Sequence, residues 1–218
     1  MRKVDPAKHA AKRRAILDAA AGCFAEKGFE KTTTAHICRV AGISSGSLFH
    51  YFPTKRAVFV AIFADEGEQT AEYLAEAVKA PDPLTALFDV VDHFAAGVAE
   101  PAVVRLLLEV AAQTARDEEF AALIRHNETV LRDGIEVLVR RAAGAGLIDA
   151  SIPPRGAANW ITVLIDALLG RANFDPEFDV VAERDMLRLI LTRFLCPDSA
   201  VSAPGGGGMP QTGGISPS

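Results

Sequence analysis

Apolar residues recur three and four positions apart along most of the chain, and short polar breaks built from Gly, Pro, Thr and Asp separate the runs. In AKRRAILDAAAGCFAEKG, Ile16, Ala20, Cys23 and Phe24 share one face, which predicts a helix stopped by Gly28. TTTAHICRVAG sets Ile37, Val40 and Ala41 on one side, with threonines to cap its start and Gly42 to end it in the left-handed conformation. Ser44 is a good N-cap for a following helix, which must be short because Pro53 disfavours the helical conformation at Phe52. Thr54 then caps KRAVFVAIFADEGEQTAEYLAEAV.

The pattern continues past the breaker Pro81-Asp82-Pro83. PLTALFDVVDHFAAGV carries Leu84, Phe88, Val91, Phe94 and Val98 on one face, while PAVVRLLLEVAAQTA is apolar nearly all round and predicts burial on several sides. Phe120, Leu123, Asn127, Leu131, Ile135 and Leu138 form the stripe of the next helix. Two more, roughly residues 155 to 173 and 179 to 195, present Trp160, Ile161, Leu164, Ile165 and Leu168, then Met186, Leu187, Ile190 and Phe194. No stretch reads as a strand. The expectation is an all-α chain of about nine helices, opening with a three-helix helix-turn-helix unit and closing with a helical bundle.

Charge divides the chain in a way the total hides. Of 218 residues, 1 to 56 hold 11 Lys+Arg against 4 Asp+Glu, or +7; the rest of the net −5 leaves residues 57 to 218 at −12. A basic part facing a polyanion and an acidic part with other work follow from this split. Residues 1–56 are thus expected to be a basic arm plus a helix-turn-helix DNA-binding domain, 57–196 a separate helical domain, and 197–218, rich in Gly, Pro and Ser, a disordered tail. Cys23, Cys38 and Cys196 are too few and scattered for a disulfide framework or a metal site, and Cys23 and Cys38 fall on apolar faces that predict burial. The start MRKVDPAKHAAKRR lacks the apolar run of a secretory signal, and Asp166 and Arg171 interrupt the most apolar later segment; a cytoplasmic protein without membrane spans or cofactor is expected.

Residues 42 to 46, GISSG, match the G-x-S-x-G elbow of serine hydrolases, with Ser44 as the nucleophile. An elbow needs a strand before the serine, and His36 and Arg39 interrupt any such run. Helix, tight turn through glycine, helix is instead the plan in which the second helix enters the DNA major groove. A helical small-molecule carrier without DNA binding is the remaining alternative.

The stretch ILDAAAGCFAEKGFEKTTTAHICRVAGISSGSLFHYFPTKRAVF resembles the TetR (tetracycline-repressor-like) family of bacterial transcriptional regulators, most specifically in Leu48 to Phe52 followed by a lysine two residues past Pro53. The resemblance implies a regulator, a repressor by default and not an enzyme, that binds a palindromic operator as a homodimer. Thr33 and Thr34 offer hydroxyls and free N–H groups to a phosphate at a helix N-terminus. Ser44 caps the recognition helix, Ser45, Gly46 and Ser47 form its groove-entering turn, and Phe49, His50 and Tyr51 supply aromatic and phosphate contacts. Lys55 looks like the family's backbone-clamping lysine. Ala35 and Ser45 stand where many members carry a basic residue, which shifts the expected readout to Ser47, Phe49 and an arm of Lys8, Lys12, Arg13 and Arg14 that could reach the minor groove.

By the same resemblance the central helices enclose a pocket for a small, apolar or amphipathic effector, and the last two helices pair with a second subunit. Phe88, Val91, Phe94, Leu107, Val110, Asn127, Leu131, Trp160 and Val163 are the candidate lining residues, with plain core the stronger reading for each apolar one. Asn127 is the best polar candidate because an amide on an apolar stripe must find partners; Asp166 fits either the pocket or the dimer seam.

Overall fold

A computed structural model describes residues 5–175 and 177–196, and these form nine helices and no strand. In order they are α1 (Pro6–Lys31), α2 (Thr34–Ala41), α3 (Ser45–Tyr51), α4 (Lys55–Ala77), α5 (Pro83–Val98), α6 (Pro101–Thr114), α7 (Glu118–Gly144), α8 (Pro154–Phe174) and α9 (Val180–Leu195). The tail expected to be disordered and residues 1–4 of the expected arm lie outside the described residues.

The capping residues act where the sequence places them. The Thr33, Ser44 and Thr54 hydroxyl oxygens accept from the backbone N–H groups of His36, Ser47 and Ala57 at 3.2, 3.2 and 3.0 Å. Gly42 ends α2 at φ 65°, and Ile43 N–H closes back on Cys38 O at 3.0 Å. Gly28, at φ 75°, breaks the regular part of α1, and buried Thr32 ties off the end by donating its hydroxyl to Cys23 O and Gly28 O.

One expectation fails at the very start. Asp5 caps Pro6 at the first helical position, so Lys8, Lys12, Arg13 and Arg14 belong to α1 itself and not to a free arm. Arg13 and Arg14 reach Asp65 of α4 at 2.8 and 3.0 Å, and Arg14 also reaches Gln69.

Two cores sit end to end. One joins α1, α2, α3 and the first half of α4 with Val110 of α6 and Phe120 of α7; Phe59 is its hub, with ring centroids 5.0 to 5.2 Å from Phe24, Phe29, Phe63 and Phe120. The other joins the end of α4 with α5, α7, α8 and α9. The division at residues 56/57 therefore falls in the first turn of α4 and does not follow a seam in the packing.

α4 and α7 run side by side in the same direction, and two glycines allow the approach. A Cβ at Gly67 would lie 2.3 Å from Asn127 Oδ1, and one at Gly134 would lie 2.9 Å from Leu74. At their far end Arg141 donates to the carbonyls of Val78 and Ala80, closing the last turn of α4.

Candidate nucleic-acid interface and ligand-binding body

α3 is held by two buried anchors, Leu48 at 0 % exposure and Phe52 at 5 %, four residues apart on one face. With these pointing inward, Ser45, Gly46, Phe49 and His50 are exposed on the opposite side, and Ser47 and Tyr51 lie at its edges. Of the ten sequence-predicted contacts, Thr33, Ser44, Ser45, Gly46, Phe49 and His50 are exposed, and Thr34, Ser47 and Tyr51 are half-buried.

Lys55 is placed differently. Its ammonium donates to Phe29 O at 2.6 Å and Glu30 O at 3.2 Å and lies 4.4 Å from the centre of the Phe29 ring. It clamps the end of α1 to the start of α4, so its bonds here are to protein carbonyls.

His9 completes the face and was not singled out from the sequence. Its ring lies 4.6 Å from that of Tyr51 and 6.2 Å, edge on, from that of His50, pinning the first turn of α1 to α3. The signal available was Asp5-Pro6, an N-cap followed by a proline at the first helical position, which starts the helix early enough to carry His9. Lys8, Lys12 and Arg39 are exposed, and among the described residues no carboxylate pairs with them, so they add net positive charge to the α1–α2 surface.

Ser44 has none of the surroundings of a nucleophile. Its oxygen is occupied as an N-cap acceptor, a helix precedes it, and among the described residues no histidine or carboxylate bonds to it.

These features coincide with the comparisons to known proteins. Residues 16–62 match the family model described as bacterial regulatory proteins, tetR family, and residues 83–195 match that of the BetI-type transcriptional repressor C-terminal domain. The chain belongs to the TetR family. Among curated relatives, the HTH-type transcriptional repressor Rv1474c of Mycobacterium tuberculosis is 29% identical over 179 residues, 81% of this chain and 91% of that protein. Among solved structures, Salmonella enterica GusR is 26% identical with a TM-score of 0.66, covering 85% of this chain and 95% of that one. The triclosan complex of SmeT, a Stenotrophomonas maltophilia repressor, is 22% identical with a TM-score of 0.73, covering 93% and 100%.

Among the described residues of this TetR-family chain the expected pocket residues fall in separate places. Val91, Phe88, Phe94 and Leu131 belong to the α5–α9 core, and the Arg188 guanidinium lies 5.2 Å from the centre of the Phe88 ring. Leu107 and Val110 belong to the other core. Asn127 donates to Phe63 O at 2.9 Å, so the amide's partner is the α4 backbone. Trp160 and Val163, 62 % and 48 % exposed, lie on the outer face of α8 because Ala157, Ala158, Ile161, Thr162 and Ile165 take its inner face.

Two other features of the body stand out. Glu66 of α4, Glu128 of α7 and Asp166 of α8 are reached by solvent, yet enough protein surrounds them that lost hydration raises each carboxyl above its ordinary value; Asp166 raises Glu128 further and Arg132 opposes it. A cavity of about 340 Å³ opens where the end of α5, the start of α6, the end of α8 and the start of α9 meet, and it holds none of the predicted residues.

The DNA-reading head and the body are also cross-linked. Arg56, at the start of α4, grips Asp117 through two nitrogens at 2.5 and 2.9 Å and Glu119 at 2.8 Å. That guanidinium, with help from the Phe120 N–H, holds the Asp117 carboxyl down to about 2.

Proposed function

We propose that the protein is a repressor that binds a two-fold symmetric DNA site as a homodimer and leaves it when a small apolar or amphipathic molecule occupies the body. The observation that carries this reading is the outward face of α3. Leu48 and Phe52 lock the helix to the core, so Ser45, Gly46, Phe49 and His50 are presented together and small residues at its first turn let the backbone approach base edges. The N-terminus of α2, with exposed Thr33, and the unpaired Lys8, Lys12 and Arg39 flank that face where phosphates would run.

Dimerisation is supported by apolar surface with no cover in the single chain. Trp160, Val163 and Phe174 of α8 and Val181, Met186 and Ile190 of α9 are all more than two-fifths exposed, which is costly for a lone soluble chain and suits a four-helix seam. Such a seam would set the two α3 helices about one DNA turn, or 34 to 36 Å, apart. That SmeT is described with triclosan supports a small-molecule effector for this chain as well. No described helix is long and apolar enough to cross a membrane, and a DNA partner would favour a cytoplasmic location.

Fluorescence anisotropy with DNA flanking the protein's own gene tests the reading. Specific binding should weaken steeply with salt, as counterion release requires. Trp160→Glu should yield a monomer by analytical ultracentrifugation and lose specific binding. Binding that is salt-insensitive, or a Trp160→Glu variant that stays dimeric, would refute the proposal. Hydrolysis of a generic ester that Ser44→Ala abolishes would restore the enzymatic alternative.

A further inference from the structure

α3 carries no Lys, Arg, Asp or Glu, so the titratable groups it presents are His50 and Tyr51 alone. Of these only the imidazole can become a cation, and imidazole changes charge between about pH 5 and 8. α1 brings a second imidazole to the same place. The His9 ring lies 4.6 Å from that of Tyr51 and 6.2 Å from that of His50, and the His50 and Tyr51 rings are 5.3 Å apart. Two imidazoles thus flank one phenol where α1 meets α3.

The junction is held by side chains. One turn after His9, the Arg13 guanidinium lies 5.7 Å from the centre of the Phe52 ring and is fixed by Asp65 of α4 at 2.8 Å. Phe52 is buried, and its ring centroid is 6.3 Å from that of Tyr51. His9 and Arg13 therefore hold the end of α3 against α1. The polar atoms of the trio are not spent on the protein. Among the described residues, the histidine and tyrosine side chains with a hydrogen-bond partner are His36 and Tyr73; the His9 and His50 rings and the Tyr51 hydroxyl have none.

The surrounding charge is mostly positive. Within one turn of His9 on α1 stand Lys8, Lys12 and Arg13 against a single carboxylate, Asp5, which accepts the Ala7 N–H as the cap. From α4, Asp65 reaches the junction with its two oxygens held by Arg13 and Arg14. α2 carries Arg39 and His36 and no acid. Spare N–H and O–H donors amid net positive charge match a phosphodiester, whose oxygens accept from both and whose charge favours the protonated ring.

We propose that His9 and His50, set on either side of Tyr51, form a proton-dependent phosphate grip, so that DNA binding takes up protons and tightens as pH falls from about 8 to about 6. A protonated imidazole donates from both nitrogens, whereas the neutral ring donates from one and adds no charge. The gain is therefore present at the lower pH and lost at the higher. His9 is also a positioning residue, since its ring packs on Tyr51. The other histidines lie elsewhere: His36 is against Lys27, His93 stacks on Tyr73 in the body, and His126 is in α7. The inference rests on the assignment of α1–α3 to DNA.

Fluorescence anisotropy with the DNA flanking the protein's own gene, at about pH 6 and about pH 8 and fixed salt, tests the grip. The parent should bind about 10-fold or more tighter at the lower pH, since each proton taken up contributes up to about 10-fold per pH unit. Its salt slope should steepen by about 0.9 for each phosphate newly neutralised. Calorimetry in two buffers of different ionisation heat should register the protons directly. His9→Phe keeps a ring against Tyr51 and should lose part of the pH response, and adding His50→Gln should remove the rest. His9→Lys, a cation at both pH values, should narrow the response by tightening binding at the higher pH. Equal affinity of the parent at both pH values, or a response that survives in the double variant, would overturn the grip and leave the DNA assignment standing. A loss in His9→Phe of the same size at both pH values would reduce His9 to positioning Tyr51 and would also overturn it. No specific DNA binding at either pH would overturn both.

Discussion

Lys55 separates two roles that its position in the motif leaves merged, a phosphate clamp and an internal brace. Lys55→Met keeps the apolar stem over the Phe29 ring and removes the ammonium from Phe29 O and Glu30 O. A hydrogen bond from a charged group contributes about 1.5 to 3 kcal/mol, and the ring contact adds about 0.5 to 1 kcal/mol. The Glu30 carbonyl is exposed and regains water in the variant, so only the 2.6 Å bond to Phe29 O counts in full. A net loss of about 2 kcal/mol follows, which for a chain of this length is a fall in Tm of about 4 to 8 °C. The assay is thermal unfolding followed by circular dichroism, paired with operator binding at several salt concentrations. A brace predicts the lower Tm with an unchanged salt slope. A Tm within about 1 °C of the parent, together with a slope reduced by about 0.9, would mean one lost phosphate contact and would refute the brace.

Gly67→Ala should drive a methyl into Asn127 and break its bond to Phe63 O; overpacking of about 1 to 3 kcal/mol outweighs the helix-propensity gain of about 1 kcal/mol, and adding Asn127→Ala should restore part of the lost Tm. Glu128 has a folded pKa above its unfolded one, so its contribution to stability is complete below the ordinary carboxyl range and is lost as pH rises through the raised value. Glu128→Gln should therefore gain Tm over the parent at pH 7 and gain little at pH 4; an equal gain at both would show that ionisation is not the cause. Asp117 has the opposite sign, its support present above the unfolded value and lost as pH falls toward about 2. In Arg56→Ala, side-chain NMR should find the Asp117 midpoint moved up toward the ordinary range, and no movement would deny the pairing.

Local chemistry was legible and long-range geometry was not. Caps at Thr33, Ser44 and Thr54 and the left-handed stop at Gly42 depend on a few neighbouring residues, so their letters suffice. The inward pair Leu48 and Phe52 is equally local, which is why the exposed face of α3 was predicted correctly. The pocket was not legible because an apolar stripe at helical spacing looks the same whether it packs on a neighbour, lines a cavity or faces another subunit. Val91 and Trp160 both sat on plausible stripes, yet one is fully buried and the other is outside. The cavity at the start of α6 is formed by four helix ends distant in the chain, and no motif marks it. The turn of Lys55 toward Phe29 is likewise a contact across 26 residues.

Phe120 of α7 packs edge to ring against Phe63 and close to Phe59, the hub of the aromatic cluster under the DNA-reading helices. Chimeric regulators made by exchanging heads between relatives have to respect that. A splice between residues 56 and 57 would transplant a reader without the floor it stands on, leaving Phe24 and Phe29 against a foreign partner. A workable exchange carries α4 to at least Phe63 and re-matches Val110 and Phe120 in the recipient. What looks like a cassette in the chain is, in the folded protein, half of a shared foundation.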